Sequence, residues 1–234
     1  MDVQILALTA ASLGFFHTLL GPDHYVPFIA MARARRWTYR KTGLITAACG
    51  LGHVGSSVLL GFIGVFIGAK VTSLEKIEAF RGSLAGWLLI AFGLLYFVWG
   101  LKKAYSGREH WHVHDHPGLP RHSHKHSHAE AHAHVHAGKK ANITPWILFT
   151  IFVFGPCEPL IPLLIYPAAR HSAGGVAAVT GVFALCTVAT MTGMVLGGLR
   201  GVDLLPARKM ERYAHALAGF SVLACGAAVS FMGV

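Results

Sequence analysis

Acidic side chains are scarce in this 234-residue chain: ten Asp and Glu stand against twenty Lys and Arg, and charged residues make up only 13% of it. With 54% hydrophobic residues, that scarcity excludes an ordinary wetted globular surface. The charges cluster between long apolar runs, and the solvent for those runs is lipid. Cysteine is sparse too. The four, at positions 49, 157, 186 and 225, fall in apolar segments and form no Cys-x-x-Cys pair, which argues against a disulfide framework or a dithiol relay. Cys49, Cys186 and Cys225 read as small packing residues. No basic stretch precedes the first apolar run, so a cleavable signal peptide is not expected there. Nor is there a nucleophile–base arrangement or a phosphate-cradling glycine loop. An enzyme is therefore not expected, and the 27 glycines read as helix-packing residues.

What is present is a series of six apolar segments, 3–32, 43–69, 83–101, 145–169, 172–199 and 213–234, each near the roughly 20 residues that cross about 30 Å of hydrocarbon. The expected fold is all-α, a polytopic membrane protein of six transmembrane helices. The connections after spans one, three and five hold sixteen Lys and Arg, and those after spans two and four hold four. By the positive-inside rule both termini lie outside the cytoplasm, and the loop between spans three and four lies inside. The net charge of +10 is thereby assigned to orientation and lipid contact, not to nucleic acid. The segment 71–82, with Glu75, Lys76, Glu78 and Arg81, reads as a short amphipathic outer helix.

Span one interrupts its apolar run with His17-Thr-Leu-Leu-Gly-Pro-Asp23-His24. Ionisable groups at that depth are expensive and by default mark a substrate path. Two imidazoles and a carboxylate suit a borderline divalent ion such as Ni²⁺, Co²⁺ or Zn²⁺. The bland alternative is a hydrogen-bonded pair with Asp23. Seven residues apart, His17 and His24 would share a helical face, although the break at Gly21-Pro22 leaves their separation open. His53, in Gly50-Leu-Gly-His-Val-Gly-Ser-Ser57 of span two, joins the candidates because span one carries the others.

The same punctuation returns in span four. Gly155-Pro156-Cys157-Glu158 answers Gly21-Pro22-Asp23-His24, and Pro27 is echoed by Pro159 and Pro162. Proline removes a backbone donor, which is tolerated at membrane depth only where the freed groups meet protein or a cavity. Helices one and four are thus broken, with hinges at Gly21, Pro22, Gly155 and Pro156. Three spans separate the motifs, so the halves insert in opposite directions as a 3+3 inverted repeat: residues 1–101 and 144–234, joined by a loop at 102–143. The offset carries His53 onto Thr187. Glu158 is either a ligand or protonatable group, or half of a buried pair. Cys157 is a second-choice ligand, because its thiol must ionise to bind. Met191 and Met194 read as packing, and Thr187, Thr190 and Thr192 as bonded to local carbonyls.

Eleven of the sixteen histidines crowd the central loop: His110, His112, His114, His116, His122, His124, His126, His128, His132, His134 and His136. Such a tract buries no core and is expected to be disordered without metal. Imidazole binds Ni²⁺, Co²⁺, Cu²⁺ and Zn²⁺, so a cytoplasmic metal-collecting or metal-sensing arm is the functional reading. A pH-dependent cationic linker is the bland one.

These motifs together resemble the nickel/cobalt transporter superfamily, in particular its NicO exporters and UreH-like relatives. The resemblance covers nearly the whole chain. His17 to His24 corresponds to the family's first signature, with five residues before the Asp-His pair where the permeases have four. Gly52-His53-Val-Gly-Ser-Ser57 corresponds to the second, and Pro156-Cys157 to the third. The resemblance implies a secondary transporter in the cytoplasmic (inner) membrane that moves nickel or cobalt, with zinc also considered, most simply outward and coupled to protons. The metal would be substrate, not cofactor, bound by His17, Asp23, His24 and His53 with Glu158 and Cys157. Two alternatives stay open: a membrane-bound delivery protein handing metal to a soluble chaperone, and an exporter of sulfite or another small anion.

Overall fold

The computed structural model describes residues 3–66, 71–106, 110–114, 122–126, 143–157, 159–169, 173–204 and 211–232. Its helices are α1 (Val3–Leu20), α2 (Val26–Arg35), α3 (Tyr39–Phe66), α4 (Val71–Ser106), α5 (Thr144–Phe154), α6 (Leu160–Ala169), α7 (Ala173–Asp203) and α8 (Ala214–Met232). Four helices among the described residues are long and apolar enough to cross a membrane, or five if α1 and α2, bent by 83°, count as one span. The apolar segment at 145–169 is divided between α5 and α6, of 11 and 10 residues, and neither reaches spanning length alone.

These helices are turned inside out relative to a water-soluble bundle. Leu8, Phe80, Leu95, Trp146 and Leu185 are about 70% exposed, while Thr18, Thr42, Thr46, Ser57, Glu78 and Thr187 are fully buried. A monomer in water rarely shows so much apolar surface. The architecture is compatible with a multi-pass membrane protein, with lipid on the outside and the polar groups gathered within.

Glycine sets the closest helix contact. Along α4, a Cβ on Gly93 would lie 2.3 Å from the backbone N of Leu223, and one on Gly100 2.4 Å from that of Ala216. From α8, Gly219 meets the backbone of Phe97 and Gly226 that of Ile90 in the same way. The two helices therefore pack backbone on backbone, as small residues permit in lipid.

The apolar interior forms two clusters. One joins Phe28 and Met31 of α2, Cys49 of α3, Leu89 and Tyr96 of α4, Leu148 and Phe152 of α5, Met191 of α7 and Val222 of α8. The other joins Leu6 and Ala10 of α1, Val54 of α3, Cys157, Leu160 of α6, and Val176 and Phe183 of α7. In α3 the residue before Val54 is His53, and in α7 Thr187 falls between Phe183 and Met191. A polar layer thus separates the clusters.

Several expectations change here. The segment 71–82 is the first three turns of α4, because Gly82 alone does not stop a helix that Ser83 and the apolar run continue. Thr187 and Thr192 bond no local carbonyl; their hydroxyls are buried without a partner. Thr187 faces α1, where a Cβ on Gly14 would lie 3.1 Å from its Oγ1. Within the histidine-rich tract, expected to be disordered, β1 (His110–His114) pairs antiparallel with β2 (His122–His126), His110 opposite His126 and His114 opposite His122. The His-x-His alternation has the period of a strand. Met191 packs as expected.

Candidate metal centre

The 83° turn between α1 and α2 is what makes the site. Gly21 leaves the helix with extended backbone (φ −88°, ψ 96°), and Pro22-Asp23-His24 forms a single 3₁₀ turn before α2 begins. His17 lies in the last turn of α1 and His24 ends the 3₁₀ turn, so the bend brings one ring against the other, with ring centroids 4.8 Å apart. His53 of α3 completes the group. Its ring lies parallel to that of His17 at 6.2 Å and edge-on to that of His24 at 5.1 Å. His24 and His53 are both buried.

One ligand atom from each of these three imidazoles lies within 4.8 Å of the other two. The Nε2 atoms of His17, His24 and His53 are all buried without a hydrogen-bond partner. Orphaned buried nitrogens are costly, about 1–3 kcal/mol each, and three of them on rings gathered in one place offer a donor set for an electrophile. The other ring nitrogens show how two are aimed. His24 Nδ1 donates to Asp23 Oδ1 at 3.0 Å and to the Gly21 carbonyl at 3.2 Å, and His53 Nδ1 donates to the Phe152 carbonyl at 3.3 Å. Holding the proton on Nδ1 leaves Nε2 as a lone-pair donor, the arrangement expected of metal-binding histidines. Phe152 borders the rings of His24 and His53 and packs on Phe28, so the group is lidded by apolar surface.

Both glycines of the repeated motif are pressed against a ring of the cluster. A Cβ on Gly21 would stand 2.6 Å from His24 Nδ1, and one on Gly155 would stand 3.0 Å from His53 Nδ1. The Gly-Pro breaks thus supply a bend and also room for an imidazole.

Of the residues expected at the site, His17, His24 and His53 converge. Asp23 adjoins them through His24 and lies outside the three-ligand group, as does Cys157. The Cys157 side chain packs among Val54, Leu160 and Phe183, and its backbone N–H donates to Glu78 Oε2 at 3.1 Å. Glu158 and the loop histidines His116, His128, His132, His134 and His136 lie outside the described residues. The sequence reading missed Phe152, which carries no titratable group, and Glu78 and Arg81, which were assigned to an outer helix. The signal that would have found the pair was the absence of a helix breaker between Val71 and the apolar run.

Compared with protein-family models, curated proteins and solved structures, the chain matches none.

Proposed function

We propose that this chain is a secondary transporter that carries a divalent transition-metal cation, nickel or cobalt in first place, outward across the cytoplasmic membrane. The observation that carries this reading is the group of three imidazoles, each with a buried, unpartnered Nε2, in the polar layer between the two apolar clusters. Three neutral nitrogens suit a borderline ion better than Mg²⁺ or Ca²⁺, which call for oxygen. With metal–nitrogen bonds of about 2.0–2.1 Å, tetrahedral ligand nitrogens stand roughly 3.3 Å apart. A spread of up to 4.8 Å therefore needs only a modest closure of the rings around an ion.

In this reading α1–α2 and α5–α6 are the two broken spans of a six-span, 3+3 inverted arrangement, with the ion bound near mid-membrane. The bonds of His24 to Asp23 and of His53 to Phe152 support the roles given to them: Asp23 and the Phe152 carbonyl hold the rings, and His17, His24 and His53 bind. Both termini lie outside, and the histidine-rich tract collects or senses metal on the inner side.

The test is elemental analysis of cells expressing the wild-type chain or His17→Ala, loaded in parallel with nickel, cobalt, zinc, copper or manganese. A His17-dependent fall in one metal is the expected outcome and names the substrate; a rise would reverse the direction. No change for any metal would overturn the reading in favour of the delivery protein or the anion exporter. Deleting residues 107–138 separates those functions further, since a transporter keeps residual flux without the tract and a delivery protein loses all activity.

A further inference from the structure

Glu78 and Arg81 form an ion pair inside the bundle that the histidine cluster does not use. Glu78 is fully buried and the Arg81 side chain is 13% exposed. Both terminal nitrogens of Arg81 and both carboxylate oxygens of Glu78 are engaged. The Arg81 guanidinium donates to Glu78 Oε1, to Ser56 Oγ at 2.6 Å, to Ser57 Oγ at 3.3 Å, to the Val153 carbonyl at 2.8 Å and to the Gly155 carbonyl at 3.3 Å. The other oxygen of Glu78 accepts from the Cys157 N–H. One turn of α4 is thereby fastened to α3 and to the break that ends α5.

The break explains why a cation is needed there. A helix end leaves its last carbonyls without intrahelical donors, and Pro156 and Pro159 supply no N–H beyond it. In a membrane those carbonyls must be satisfied by protein. The structure divides them: the Phe152 carbonyl takes the capping Gly155 N–H at 3.0 Å and also His53 Nδ1–H, and the Val153 and Gly155 carbonyls take Arg81. The same guanidinium reaches Ser56, whose hydroxyl donates to the His53 carbonyl at 2.8 Å. His53 is thus held at its ring by α5 and at its backbone by Ser56, and Arg81 bonds both holders.

We infer that Arg81, kept in place by Glu78, is a positioning residue for the metal site: it fixes the end of α5 so that the Phe152 carbonyl holds the proton on His53 Nδ1 and leaves Nε2 free to bind. This rests on the proposed metal site. Breaking one side of a buried pair strands a charge, and either single neutral variant is expected to misfold. The informative variants are therefore Arg81→Lys, which keeps the charge but has a point donor in place of a fork, and the neutral pair Glu78→Gln/Arg81→Met, which leaves no charge behind.

The experiment pairs two readouts on purified protein: imidazole ¹⁵N NMR of His53 without metal, and titration with Co²⁺. In the wild type His53 is expected as the Nδ1–H tautomer. In both variants it becomes a mixture of tautomers, and Co²⁺ affinity falls by about 10–100-fold, the range for loss of a group that orients a ligand, with one ion still bound. If the variants melt at lower temperature but keep the Nδ1–H signal and bind Co²⁺ within twofold of wild type, Arg81 is a structural stitch only and the inference fails. If the wild type binds no Co²⁺, the metal reading fails, while the His53 signal still decides whether Arg81 positions the ring.

Discussion

Asp23→Asn is the substitution that best tests how the three imidazoles are aimed. Asparagine keeps the shape of aspartate, so packing at the bend is unchanged, and its amide oxygen can still accept from His24 Nδ1 once the charge is gone. The structure sets the size of the loss. Asp23 Oδ1 lies 3.0 Å from His24 Nδ1, but the Gly21 carbonyl lies 3.2 Å from the same atom and remains in the variant. With that second acceptor in place, the expected loss in metal affinity sits at the lower end of the 10–100-fold range for an orienting partner, near tenfold or about 1.4 kcal/mol. Titration of purified protein with Co²⁺, followed by calorimetry and by the visible spectrum of the bound ion, measures both affinity and ligand set. The expected result is weaker binding of one ion with an unchanged spectrum. An altered spectrum or abolished binding would make Asp23 a ligand and refute its assignment as the group that orients His24. An affinity within twofold of wild type would remove it from the site altogether.

Other consequences are equally direct. His53→Ala is expected to remove a ligand and end high-affinity Co²⁺ binding while the protein still inserts and purifies, read by titration and gel filtration. Gly21→Ala places a methyl 2.6 Å from His24 Nδ1 and Gly155→Ala one 3.0 Å from His53 Nδ1; both should weaken Co²⁺ binding, the first more, and equal affinities would contradict the close approach. Gly93→Leu wedges a side chain into a backbone contact and should lower thermal stability by well over the 1–3 kcal/mol typical of overpacking. Gly181→Leu and Gly193→Leu on α7, where a Cβ meets nothing within 4 Å, should melt like wild type in the same assay.

How much of this was legible in the sequence follows from the range of the signals. The apolar runs and the Gly-Pro breaks are local, and they located the helices and the bend at Gly21-Pro22. That His17 and His24 belong together was suggested locally by the seven-residue spacing, while the break left their separation for the structure to set. His53 joined them on the strength of an adjacent span, and the structure brings it there. The division of labour within the site was not legible. Whether Asp23 faces a ring nitrogen or an ion depends on side-chain angles that no spacing encodes. Glu78 and Arg81 were misplaced for a different reason: a charged pair next to an apolar run reads as solvent-facing, and only the long-range meeting of α4 with the end of α5 shows what it serves. Phe152 is invisible for the same reason, since its contribution is a main-chain carbonyl.

The seam between α4 and α8 has one more consequence. Two helices that touch through their main chains have no layer of flexible side chains between them, so neither can roll or slip without atoms colliding. That pair is the stator of the molecule. If the proposed transport reading holds, the motion that admits or releases a cargo falls to the pieces that carry the breaks, α1–α2 and α5–α6, against a frame that grips the Gly155 break through the Arg81 guanidinium and the Glu78 carboxylate.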